Sequence, residues 1–107
     1  MTIEEVRRKI KIGHFSVTDH ALTESFKDEV TIDDILYCVN QGRIIEEYPT
    51  RKRCLIYGKL VEKVPLHVVI DYSYEEEINI VTVYIPDSRE WINFQIRKKR
   101  GIRHEKK

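Results

Sequence analysis

Two apolar, β-branched runs, 66–72 and 78–84, carry polar groups that could do chemistry: His67, Asp71, Thr82 and the Tyr84 hydroxyl. A third place is Thr18-Asp19-His20-Ala21, where a histidine falls in the first turn of a helix. Histidine titrates near neutrality and can give or take a proton at physiological pH. Hydroxyls of Thr82 and Tyr84 can donate to an anionic oxygen, and a tyrosine ring can stack on a base. Arg53, with Arg51 and Lys52 before it, could grip a phosphate, and so could the basic segment holding Arg97, Lys98 and Arg100. The same residues have structural readings. His20 could be buried against Asp19 or Asp71, His67 could be a hydrogen-bonded core or rim histidine, Thr82 and Tyr84 are good strand formers, and Arg51-Lys52-Arg53 could be a solvated turn. His14 and His104 have no supporting context. The run Glu75-Glu76-Glu77 lacks the spaced oxygen ligands of a calcium loop, and no metal site is expected.

The elements that must position these groups are legible in part. The two runs, separated by the polar stretch 73–77, read as an antiparallel hairpin. Strict alternation puts Val68, Ile70 and Tyr72 opposite His67, Val69 and Asp71. It likewise puts Ile78, Ile80, Thr82 and Tyr84 on one face, with Asn79, Val81 and Val83 on the other. Thr2 and Glu5 form a capping box for a first helix over 3–11, with Gly13 as its stop. Ser16 or Thr18 can cap a second helix bearing Ala21, Leu22 and Phe26. Thr31 and Asp34 start a third, whose stripe is Ile32, Ile35, Leu36 and Val39 and whose end is Gly42. Strands are expected over 43–48 and 53–60, joined by the turn 49–52. After Pro86, Asp87 and Glu90 suggest a helix over 88–96 with Trp91 as an anchor, although Ile92, Phe94 and Ile96 alternate as in a strand. The fold expected is α+β: N-terminal helices packed on one face of a four-stranded antiparallel sheet.

A chain of 107 residues, 41% hydrophobic and 35% charged, is read as one domain with a basic tail from about residue 97. No apolar run reaches membrane-spanning length and the N-terminus has no signal-peptide core, so a cytoplasmic protein without a membrane partner is expected. Cys38 and Cys54 lack ligand-like spacing and read as packed, reduced thiols. No glycine-rich phosphate cradle or HExxH motif is present, and no cofactor is expected. The net charge of +1 conceals an asymmetry: residues 97–107 hold seven basic side chains against one acidic (+6), and the remainder twelve against seventeen (−5). Such a tail suits a phosphate backbone or simple solvation equally well.

Four pieces stand in fixed order: Thr18-Asp-His20-Ala21; Gly42-Arg-Ile-Ile-Glu-Glu-Tyr48-Pro49; Leu66-His67-Val-Val-Ile; and Val81-Thr82-Val-Tyr84-Ile-Pro86 followed by Trp91. As an ordered set covering nearly the whole chain, they resemble the domain of unknown function four-two-five-eight family. That resemblance implies the RelE-like fold of small metal-independent ribonucleases, the group that includes the RelE-type and MqsR-type messenger-RNA-cutting toxins. It implies RNA as substrate and an antitoxin protein as partner, some antitoxins having zinc-ribbon and helix-turn-helix domains. His20, His67 and Tyr84 would then be the catalytic candidates, with Arg53, Thr82, Arg97, Lys98 and Arg100 as substrate contacts. The family commonly has a basic residue a few positions after His-Ala, where this chain reads Leu22-Thr23-Glu24-Ser25. A non-catalytic protein- or RNA-binding module of the same fold is the alternative expectation.

Overall fold

A computed structural model describes residues 1–98 as three helices and a five-stranded sheet, followed by a small hairpin. The predicted capping boxes form: Thr2 and Glu5 open α1 (Ile3–Lys11), and Thr31 and Asp34 open α3 (Ile32–Gln41). Thr18 caps α2 (Asp19–Lys27) by accepting from the Ala21 amide at 3.1 Å. Each cap satisfies an amide that has no partner within its helix. The C-terminus of α3 is tied down by Arg7, whose Nη2 donates to the Gly42 carbonyl at 2.6 Å.

The sheet order is β1-β5-β4-β3-β2, with β1 (Phe15–Val17), β2 (Arg43–Tyr48), β3 (Arg53–Lys59), β4 (Pro65–Asp71) and β5 (Ile78–Tyr84). The expected sheet of four antiparallel strands is therefore corrected to a mixed sheet of five. Phe15-Ser16-Val17 adds a parallel edge strand against Ile78–Ile80, with Phe15 and Val17 packed on the core and Ser16 donating to Asn79. Three residues whose partner lies more than sixty positions away leave no local periodicity to read. Leu66, Val68 and Ile70 of β4 join Cys54 and Ile56 of β3 in one core with Val6, Ile35 and Val39 of the helices. Fully burying each such aliphatic side chain contributes roughly 1.5–3 kcal/mol.

Both faces of β5 are not as strict alternation predicts. The pairing Val69↔Thr82 is followed by Ile70↔Ile80, so Val81 is an extra residue, a β-bulge. Beyond it the side chains change faces. Val83 joins Ile78 and Ile80 in the core, while Thr82 and Tyr84 turn to the opposite face beside Val69 and His67. A second bulge at Ile45 in β2 keeps Ile44 against the core and turns Glu46 and Tyr48 toward Leu55 and Arg53 on that same outer face.

The helix expected over 88–96 does not form. Asp87 accepts from the Arg89 amide at 2.8 Å, closing a turn. A hairpin of β6 (Trp91–Ile92) and β7 (Ile96–Arg97) then folds back on the outer sheet face, as His67 shows by contacting both Trp91 and Phe94. Its turn residues Asn93 and Phe94 have φ of 52° and 62°, the sign a type I′ turn needs at both positions.

At Gly42 and Gly58 the backbone of α3 meets the sheet without side chains between them. A Cβ on Gly58 would lie 2.4 Å from the Cys38 carbonyl oxygen. Gly58→Ala is expected to destabilise the fold by about 2 kcal/mol or more, because backbone rather than a flexible side chain must move. Gly13, at φ +83° with nothing within 4 Å, tests backbone conformation alone. Gly13→Ala should cost about 1 kcal/mol. Urea unfolding midpoints of the two variants, with unchanged slopes, check the order.

Candidate functional site

The outer face of β4 and β5 supplies the first half of the site. The bulge places Tyr84 directly across from His67, and Tyr57 flanks His67 from β3, so the rings form one row across three strands. His67 is wholly buried. Its Nε2 lies 2.6 Å from the Phe94 carbonyl oxygen and its Nδ1 lies 3.1 Å from the Tyr84 hydroxyl. A carbonyl only accepts, so Nε2 carries the proton, and Nδ1 of the neutral ring accepts from Tyr84. Burial lowers the His67 pKa, outweighing the Phe94 hydrogen bond and the Glu46 charge that favour the cation. Burial likewise raises the Tyr84 phenol.

Trp91 stands edge-on to His67 with ring centres 4.5 Å apart, and the Arg97 guanidinium lies over the Trp91 ring at 4.5 Å. Arg97 Nη2 also donates to Glu46 at 3.0 Å, and Tyr48 hydrogen-bonds the same carboxylate. Burial pulls the Glu46 pKa upward, but the Arg97 and Tyr48 hydrogen bonds more than offset it and hold the carboxyl below its ordinary range. The Tyr48 phenol is pushed up to about 12 by burial and by Glu46.

The second half lies along the free edge of β5. Here β1 ends at Val17, and α2 takes over its role as partner. The Thr18 amide donates to the Ile80 carbonyl at 3.0 Å, and the Thr18 hydroxyl donates to the carbonyl of the bulge residue Val81 at 3.4 Å. Glu24 Oε1 accepts from the Val83 amide at 3.0 Å. The other oxygen of that carboxylate stands 3.2 Å from Nε2 of His20, whose side chain is 68% exposed. One carboxylate thus joins an exposed imidazole to the backbone of β5 two residues past the bulge.

Residues 17–85, more than half of the chain, match the family described as Domain of unknown function (DUF4258). The chain belongs to this family. No curated protein and no solved structure matches it. The DUF4258 region contains Thr18, His20, Glu24, His67, Thr82 and Tyr84, whereas Trp91 and Arg97 lie beyond it.

The residues singled out in the sequence fall into separate groups. His67, Tyr84 and Arg97 come together under the hairpin. His20 is neither buried nor bonded to Asp19 or Asp71 but sits on α2 beside Glu24. Thr82 is half-buried on the outer face next to Val69. Arg53 is paired with Asp71 at 2.8 Å, four residues along β4 from His67 and thus roughly 13 Å away. Lys98 is exposed, and Arg100 lies outside the described residues. Glu24, which the sequence marks only as standing where the family commonly has a basic residue, is the carboxylate partner of His20, and their i,i+4 spacing is the signal in the sequence that points to it. Among the described residues, no group of three His, Cys, Asp or Glu side chains is placed to hold a metal ion, and no helix is long and apolar enough to cross a membrane.

The lowered pKa of buried His67 makes stability depend on pH with a definite sign. The unfolded chain takes up the proton more readily, so the contribution of the neutral ring is complete above about 6.5 and shrinks as pH falls through the lowered folded value. Carboxyls held low in the fold, Glu46 and Asp71, act at more acid pH, below their ordinary 4.5 and 3.8. Wild-type unfolding free energy is expected to fall between about pH 7 and 5.5. His67→Gln, which can still donate to Phe94 but does not titrate, should show a clearly flatter profile in chemical denaturation over that window.

Proposed function

We propose that this protein is a metal-independent endoribonuclease of toxin–antitoxin type, cutting single-stranded RNA by attack of a ribose 2′-hydroxyl on the adjacent phosphate. The observation that carries the reading is the exposed His20 imidazole oriented by a carboxylate that is itself fixed to the Val83 amide just past the bulge. A base with an orienting partner is the arrangement general acid–base catalysis needs. His20, held at Nε2 by Glu24, leaves Nδ1 to take the 2′-hydroxyl proton. Glu24 stabilises the imidazolium that results, and the proton then returns to the departing 5′-oxygen. Atoms balance with a 2′,3′-cyclic phosphate on one fragment and a 5′-hydroxyl on the other.

Tyr84 ends the strand that carries the bulge, and because its hydroxyl is donated to His67, its ring is what this reading offers to the substrate, as a face for a base. His67 fixes that hydroxyl from below. Thr82, on the same face of β5, is the second substrate contact of the proposal. In the family resemblance the partner is an antitoxin protein, and expression without it should arrest growth.

A binding module without catalysis is the second reading, and charge pairing favours it: Arg53 is neutralised by Asp71 and Arg97 by Glu46. The two readings part in one experiment. Purified protein incubated with single-stranded RNA in EDTA should yield fragments ending in cyclic phosphate. His20→Ala should lose at least a hundredfold of that rate, within the range typical of a general acid–base group. RNA retained intact by wild-type protein, or His20→Ala cutting at the wild-type rate, would contradict the ribonuclease assignment of His20.

A further inference from the structure

Of the arginines expected to hold phosphate, Arg53 and Arg97 are each spent on a carboxylate, yet three cations elsewhere in the described residues are not. Arg43 at the start of β2, Lys59 at the end of β3 and Lys63 in the following turn line one cleft of about 370 Å³. None of them forms an ion pair among the described residues. Glu62, in the same turn, is exposed and pairs with none of them. Two aromatic residues, Tyr37 of α3 and Tyr57 of β3, are also among the residues that line it. The cleft owes its shape to Gly58, where α3 and β3 approach too closely for any side chain, and to the turn 60–64, in which Lys63 adopts φ 73°.

Topology sets this cleft at the same end of the sheet as His20. Arg43 pairs with Tyr57, Tyr57 with His67, and His67 with Tyr84, so a single cross-strand row runs from the cleft to the end of β5. β1 is parallel to β5 and ends at the same side, where Thr18 starts α2. Neighbouring strands are about 4.8 Å apart, so the row spans roughly 14 Å.

We infer that the Tyr37–Tyr57 cleft is a binding subsite for a nucleotide unit of single-stranded RNA, its base against a tyrosine ring and its phosphate on Arg43, Lys59 and Lys63. Unpaired cations around aromatic faces are the chemistry that grips a strand without reading its sequence. The inference rests on the ribonuclease reading for its link to His20, but the binding itself does not require cleavage. RNA laid across this end of the sheet would reach from the cleft on β2 and β3 to the imidazole beside β5.

The test uses the full chain and a 2′-O-methyl oligoribonucleotide octamer of mixed sequence, which lacks the attacking hydroxyl. NMR titration should shift the amides of 57–60 and 63 first. Charge reversal at two exposed positions, Lys59→Glu with Lys63→Glu, should weaken binding at least tenfold with an unchanged circular dichroism spectrum. Losing two phosphate contacts should also lower the salt slope of log affinity by about 1.4. Adenosine monophosphate and inorganic phosphate, titrated separately, should each bind far more weakly than the octamer. Octamer binding that leaves 57–63 unshifted, or that the double variant retains, overturns the subsite, and so does monophosphate binding as tight as the octamer. Tight binding at the cleft by a protein that cuts no RNA would uphold the subsite and remove only the ribonuclease reading.

Discussion

One extra residue in β5 sets the arrangement of the whole site. A strand has a side-chain period of two, so inserting Val81 reverses the facing of everything after it. Without the bulge, Val83 would leave the core and Tyr84 would enter it. With it, Val83 packs against the helices and Tyr84 meets His67. A bulge leaves edge groups unpaired, and here α2 satisfies them: Thr18 takes the carbonyls of Ile80 and Val81, and Glu24 takes the Val83 amide. The same carboxylate reaches His20, which links the strand irregularity to the only histidine that combines exposure with a fixed carboxylate partner among the described residues.

Charge and burial then separate two regions that the family resemblance joins in one site. Beneath the hairpin, His67 and Tyr84 hold each other while Arg97, Glu46 and Tyr48 are mutually satisfied, so this network behaves as an anchor for the hairpin. The anchor also holds Phe94 at positive φ, a conformation that costs a bulky residue roughly 1–2 kcal/mol. Reactive capacity is left at the periphery, on His20, and uncompensated positive charge is left in the cleft between Tyr37 and Tyr57. Both regions lie at the end of the sheet where β5 finishes and β4 begins.

Much of this was legible before any coordinates. The capping boxes at Thr2 and Thr31, the strand bounds 43–48 and the apolar stripe of α3 are local effects, decided by residues within one or two turns of each other. The family was legible too, because its motifs keep their order along the chain. What stayed hidden depends on distant partners. Phe15–Val17 pairs as a strand with the edge of β5, more than sixty residues away, and at the bulge Thr18 and Glu24 take up backbone groups of Ile80, Val81 and Val83 from a similar distance along the chain. Asp87 and Glu90 looked like a helix start, but Trp91 gains more by covering His67 than it would in a short solvent-exposed helix. Arg53 and Arg97 read as free cations because a sequence does not show which carboxylate faces them.

The Glu24–Val83 contact is the most direct point of attack. Glu24 is the acceptor of the Val83 amide, so hydrogen exchange at that amide, followed by NMR, reports on the link itself. In wild-type protein the amide should be protected, and Glu24→Ala should release it by at least tenfold while amides in β3 stay protected. Equal protection of Val83 in both proteins would contradict the account, since the bulge would then be held without α2 and His20 would have no fixed partner.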